Sequence, residues 1–323
     1  MRVLAVASAL RLILLICLVC PLLSAPARGS QRRIALTFDD LPAQRAQFLS
    51  DERIRMITDS LIAALARYAV PAIGFVNEDK LYRDGSLDPD RLAALERWLT
   101  AGLELGNHSF SHPDLHQVSV ELFETDVSRG DDVTRPLAEQ HAIPYRFFRH
   151  PYLHTGRDLE TKQAVEGFLK SEGYRVAPVT IDNSEWIFAR AFAAALDQAD
   201  PALQQRLGDA YVRYMMQMVA YFEDQSRALF DRDIPQVLLL HANDLNAHYL
   251  DRLLAALDRR GYQFVSLPVA LEDPAFTSPD TFTGAGGISW LHRWALTRGV
   301  DSDALRGEPT LEPWVEEVAG IEE

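Results

Sequence analysis

Short apolar runs of β type alternate with helical patterns along most of this chain, and that order constrains the fold more than any other feature. Residues 34–38 read as a buried strand. Residues 51–68 read as a helix, with apolar side chains at Ile54, Ile57, Leu61 and Leu65. The rhythm continues with a strand at 72–76, a helix at 90–100 behind Pro89, and a short strand at 103–106. Helices follow at 120–140, 157–171 and 249–260, and strands at 146–148, 174–181, 236–240 and 263–266. Repeated β-then-α order argues for parallel strands joined by crossover helices, an α/β barrel or a doubly wound sheet.

Two segments depart from the rhythm. Residues 190–232 hold two helical stretches, 192–198 and 203–229, and read as an all-α insertion. Residues 273–323 are rich in Pro, Gly and Thr and carry Trp290, Trp294 and Trp314, which predicts a tail packed on the domain. At the other end, Arg2, the apolar run 12–23 and Ala25-Pro26-Ala27 form a signal-peptide pattern over residues 1–27. Arg11 leaves the apolar run shorter than the roughly 20 residues a spanning helix needs, so no stable membrane insertion is expected. The expected location is periplasmic or extracellular.

Both cysteines, Cys17 and Cys20, lie in that leader. Without it the chain has no thiol, which excludes cysteine nucleophiles, Cys-ligated zinc and iron–sulfur clusters. The formal net charge is −14, and removing the leader takes Arg2 and Arg11 but no acid, giving −16. A surface that acidic repels phosphate backbones, so nucleic acid is not an expected partner. It fits a neutral or cationic polymer better than an anionic one. The oligomeric state stays open.

Four strand ends carry the polar residues of interest, and carboxyl ends of parallel strands are where ligands bind. Asp39 and Asp40 follow the first strand. His108 and His112 stand four residues apart, a spacing that on a helical turn puts both rings on one face, as two ligands of one metal require. His116 extends the spacing, but Pro113 disturbs the turn. Arg149-His150-Pro151-Tyr152 marks a third strand end, and His241 closes the apolar run 237–240. Taken singly, each has a bland explanation: a solvated turn, exposed histidines, a satisfied core histidine.

Together they resemble the polysaccharide deacetylases, carbohydrate esterase family 4 with its NodB-homology domain. Five motifs occur in order over residues 33–270: Thr37–Asp40, His108–His112, Phe148–Tyr152, Asp182–Trp186 and Leu239–His241. The resemblance implies a distorted (β/α) barrel, here with the helical insertion, that hydrolyses an N- or O-acetyl group on a glycan. N-acetyl is the favoured substrate. It implies that Asp40, His108 and His112 bind a divalent metal, zinc by default, with Asp39 as general base and Arg149 orienting it. The backbone amide of Tyr152 would hold the oxyanion, His241 would be the general acid, and Trp186 would wall the acetyl pocket. Either Asp182 or Glu185 could tune His241.

These roles agree with the chemistry. Three protein ligands leave a coordination position open, and a histidine with an ordinary pKa near 6.5 suits protonation of a leaving amine. Leu41-Pro42 stands where the family usually has Gly-Pro, and His150 and Leu153 replace a proline and a glycine of the third motif. Those changes fall on the substrate-facing rim. Two alternatives keep the fold: a metal-dependent amidohydrolase acting on a small amide, and a catalytically silent glycan-binding protein.

Overall fold

Residues 32–321 are described by the structure, a computed structural model. The leader assigned to 1–27 lies outside them. Strand β1 (Arg33–Leu41) is followed by α1 (Asp51–Arg67), β2 (Ile73–Val76), the small antiparallel pair β3 (Tyr82–Arg83) and β4 (Ser86–Leu87), and α2 (Pro89–Thr100). Then come β5 (Glu104–Asn107), α3 (Val120–Arg129), α4 (Thr134–Gln140), β6 (Phe147–Phe148), α5 (Leu159–Ser171) and β7 (Arg175–Val176). Two helices, α6 (Glu185–Asp197) and α7 (Pro201–Phe230), precede β8 (Gln236–His241), α8 (Asp244–Arg259) and β9 (Gln263–Phe264). The tail carries α9 (Leu267–Ala270), α10 (Trp290–Thr297) and α11 (Pro313–Ala319). No helix among the described residues is long and apolar enough to cross a membrane.

Local signals set the helix starts. Ser50 accepts from Arg53 N to cap α1, and Asp88 accepts from Asp90 N and Arg91 N ahead of Pro89 in α2. Residues 120–140 do not form one helix. The chain breaks at Gly130, where an added Cβ would lie 2.8 Å from the Ser109 carbonyl carbon. A glycine there lets the histidine-bearing loop lie against the end of α3.

The main sheet is parallel, in the order β7-β6-β5-β2-β1-β8, with β9 added at the start of β1. Beyond β7 the chain crosses to the opposite edge, where Ile181 bridges Leu238 of β8. The curled sheet is thus closed into a distorted α/β barrel by one bridge. The continuous strand expected over 174–181 is only Arg175–Val176. Pro178, which has no N–H for a ladder, stands in the gap.

Side-chain alternation along β1 sorts the core. Ile34, Leu36 and Phe38 pack with the helices, while Ala35 joins Ile73, Phe75, Phe147, Ala177 and Val237 in a second, inner cluster. Thr37 and Asp39 continue the inner period at the carboxyl end. The helical segment starts at Glu185 rather than at 190, and α6 and α7 form the crossover leading into β8. In the tail, Trp290 and Trp294 are buried and Trp290 N donates to Val179 O at 2.7 Å.

Candidate metal-hydrolase site

The carboxyl ends of β1, β5, β6 and β8 meet at one rim. Asp39 pairs in register with His241 across β1 and β8, and β5 and β6 deliver His108 and Arg149. A register shift between Phe38 and Leu41 against β2, with Asp40 at φ 70°, bulges the strand at the two aspartates. The bulge lets consecutive carboxylates serve one site. Asp39 approaches Arg149 Nη1 and His108 Nε2, each at 3.7 Å, whereas Asp40 meets Lys80 Nζ at 2.7 Å.

Asp40, His108 and His112 each offer a ligand atom within 4.8 Å of the others. Their convergence does not come from a helical turn. Residues 108–112 form a loop in which Ser109 (φ 66°) and His112 (φ 58°) are left-handed, and the two imidazoles meet edge to face at 4.8 Å. Asp126 of α3 pins that loop by accepting from Phe110 N, Ser111 N and Ser111 Oγ. His108 Nδ1 donates to Arg149 O at 2.8 Å, which leaves its Nε2 as the acceptor facing the site. One carboxylate and two oriented imidazoles fit a divalent cation such as zinc.

Lys80 was not singled out by the sequence, although it stands four residues beyond β2 at the same rim. Its ammonium bridges Asp40 Oδ1 and Asn77 Oδ1, and Asn77 in turn donates to His108 O. Burial would raise the Asp40 carboxyl, but Lys80, His112, His241 and His108 hold it well below the carboxylate range. Asp40 is therefore ionised and available as a ligand at any pH near neutrality.

Asp39 is different. Burial raises its pKa to about 6 against the opposing charges of Arg149 and His241, and its Oδ1 is buried with no hydrogen-bond partner. That orphaned acceptor is the one a general base needs. Arg149 is fully buried, lies 4.8 Å over the Phe75 ring and donates from Nη2 to Thr37 Oγ1 at 2.9 Å. Its guanidinium is fixed on the inner side of the barrel, beside Asp39.

The open choice of partner for His241 falls to Glu185. Its Oε2 accepts from His241 Nδ1 at 2.7 Å, and its Oε1 accepts from Asn243 Nδ2 and Asn246 Nδ2 at 2.6 and 2.7 Å. Burial would lower the imidazole, but the Glu185 charge and hydrogen bond, with Asp40 and Asp39, raise it to about 9. Asp182 does not touch His241. Its Oδ1 accepts from Asn183 N at 2.9 Å, and burial raises it to about 7. A buried carboxyl with a raised pKa destabilises the fold progressively as pH climbs from the unfolded value near 4 through 7. Asp182→Asn is therefore expected to melt at a higher temperature than wild type at pH 8. The gain should shrink towards zero by pH 4; a constant difference across that range would refute the assignment.

Tyr152 and Trp186 flank the centre, 55% and 43% exposed. The Tyr152 ring stands edge to face with His112 at 4.5 Å, and the turn that carries its backbone amide is left-handed at Tyr152 (φ 57°) and Leu153 (φ 56°). The tail supports this turn. Arg293 donates to Leu153 O and Thr155 Oγ1 and pairs with Asp280 at 2.7 Å, and Gly287 abuts Tyr152 O so closely that a Cβ would lie 1.8 Å away. Neither residue carries a recognisable motif. Gly287→Ala must displace the turn, with an expected stability loss of about 2–3 kcal/mol by chemical denaturation and a fall in turnover. An unchanged denaturation midpoint would show that the contact is soft.

His116 does not join the triad. It stacks on His154 at 3.8 Å, and His154 Nδ1 donates to Asp114 Oδ1 at 2.6 Å. His116 Nε2 accepts from Gly156 N. Asp114, His116 and His154 thus form a second cluster, separate from the triad, whose potential ligand atoms also lie within 4.8 Å of one another.

Residues 27–169 match the family model for polysaccharide deacetylases. Among solved structures, the chain is similar to a mutant of a CE4 family pseudoenzyme from Bacillus anthracis, at 15% identity over 75% of this chain and 68% of that one, with a TM-score of 0.49. It is similar to a polysaccharide deacetylase of Bacillus cereus at 17% identity, 73% and 91% coverage and a TM-score of 0.48. For a peptidoglycan deacetylase of Bacillus subtilis the values are 20%, 75% and 91%, and 0.47.

Proposed function

We propose that this chain, residues 27–169 of which match the family model for polysaccharide deacetylases, is a hydrolase of carbon–nitrogen bonds other than peptide bonds that removes N-acetyl groups from an exported glycan with the help of a divalent metal. The observation that carries the proposal is the meeting, at one rim, of a ligand triad with an orphaned carboxylate and a glutamate-backed histidine. A silent binding protein has no use for the last two.

Asp40, His108 and His112 would hold the metal. When bound, such an ion acidifies a water molecule and draws charge from the acetyl carbonyl. Asp39 Oδ1 accepts the proton of the attacking water, while Arg149 favours the ionised carboxylate and fixes its direction. The amide N–H of Tyr152 would take up the charge developing on the carbonyl oxygen. His241, kept protonated by Glu185, gives its proton to the departing amine, without which a C–N bond breaks poorly. Trp186 stands beside this centre, in a wall it shares with Ala242 and Asn243.

Acetate release from N-acetylated chito-oligosaccharides and peptidoglycan fragments, with zinc supplied, tests the proposal. Folded protein with no activity on any acetylated sugar would overturn it. His112→Ala should lose tight metal binding by calorimetry and lose turnover with it. Retention of metal by this variant would refute the ligand assignment.

A further inference from the structure

A cavity of about 360 Å³ adjoins the catalytic centre, between the 44–49 segment and α6. Gln44, Arg45, Trp186, Arg190 and Asn243 line it, with Ala242, the neighbour of His241. One hydrogen-bonded layer separates it from the general acid. Asn243 Nδ2 reaches both Gln44 Oε1 and Glu185 Oε1, and Gln44 N donates to Ala242 O at 2.7 Å. The α6 wall is made of alanines, Ala189 and Ala193, which leave room for a ring. Trp186 stands in the wall, and Phe48, 71% exposed, follows close by on the 44–49 segment. Exposed aromatic faces of this kind stack on sugar rings.

The charge of the lining runs against that of the molecule. Arg45 and Arg190 both line the cavity, and among the described residues neither has a carboxylate within 4 Å. Arg190 donates from Nη2 to Gly320 O, and the Arg45 guanidinium lies 5.6 Å from the Phe48 ring centre. The lining carboxylate, Asp244, is already taken by Arg53 at 2.8 Å. Both guanidinium groups thus lack a carboxylate partner at the same cavity, and the planar guanidinium fork matches a carboxylate. On a chain with 46 acidic and 32 basic residues, such a pair is not what the bulk composition supplies.

We propose that this cavity is a sugar subsite for a carboxylate-bearing residue next to the acetylated one, with Arg45 and Arg190 taking the carboxylate and Trp186 the ring. The inference rests on the glycan deacetylase reading and names the substrate class within it. It reverses the expectation, drawn from net charge, of a neutral or cationic polymer: the local field of the groove decides, not the average over the surface.

Two disaccharides test it, N-acetylglucosamine linked to glucuronic acid and N-acetylglucosamine linked to a sugar with a lactyl ether carboxylate. Each is assayed as the free acid and as its methyl ester. For at least one of them kcat/KM is expected to be tenfold or more higher for the free acid, and whichever shows it identifies the source of the carboxylate. The preference should fall to about onefold in the Arg45→Gln/Arg190→Gln double variant and weaken in wild type at high salt. Equal rates for acid and ester in wild type would overturn the subsite. Absence of acetate from all four compounds and from neutral chito-oligosaccharides would instead overturn the deacetylase reading.

Discussion

Asp39→Asn is expected to lower acetate release by about a thousandfold, within the range that a positioned general base contributes. Asparagine keeps the size of the side chain, so Thr37, Arg149 and the metal ligands keep their places. Metal affinity by calorimetry should therefore change little, and stability at pH 8 should rise. The carboxyl it replaces is held near pKa 6 by burial, so its ionisation weakens the fold as pH passes from about 4 to 6. Protonation of the same carboxyl gives the wild-type rate profile its acid limb. Retention of a tenth or more of the activity by the variant would exclude Asp39 as the base. Loss of metal together with activity would place Asp39 among the ligands.

Glu185→Gln carries the second large effect. The carboxylate is fully buried, and its oxygens accept from two asparagines and His241. Glutamine can keep Oε1 for Asn243 and Asn246, but then its amide N–H faces Nδ1, which must become an acceptor. The imidazolium loses its counter-charge. The expected result is a hundredfold or greater fall in turnover, with the basic limb of the rate profile moved from near pH 9 to lower pH by at least a unit. The linked stability has a definite sign. The folded imidazole has the higher pKa, so its contribution is complete below the unfolded value near 6.5 and is lost as pH rises through 9. The variant should thus be less stable than wild type at pH 6 and approach it above pH 9. A basic limb that does not move would mean that His241 is not the acid, or that Glu185 does not govern it.

How much was legible follows from the length of the signals. Strands β1, β2 and β8 announce themselves by apolar runs, and Asp39, His108, Arg149 and His241 by their places at strand ends. What escaped depends on contacts distant in sequence. Lys80 lies in a turn without a motif, yet its ammonium closes on Asp40, 40 residues away. The choice between Asp182 and Glu185 turns on where α6 begins. With Glu185 as its first residue, the side chain faces Asn243 and Asn246 instead of solvent. The four-residue spacing of His108 and His112 points to a helical turn, but the rings are brought together by a loop with two left-handed residues. The continuous strand expected to Ile181 ignored Pro178, whose missing N–H shortens the ladder.

The pairing of β1 with β8 bears on how the chain comes to be folded. The two partners of the Thr37–Leu238 hydrogen bond are 201 residues apart, and β1 lies between β2 and β8 in the sheet. As the chain emerges, β1 and β2 can associate early, but one flank of β1 stays bare until about 200 further residues have followed. A bare apolar strand flank is a template for mispairing, and closure over so long a loop is slow. The delay falls on the strand that carries Asp39 and Asp40. No chain that has emerged short of residue 241 can therefore hold the assembled base and acid, because the strand that covers the flank is the one that brings His241.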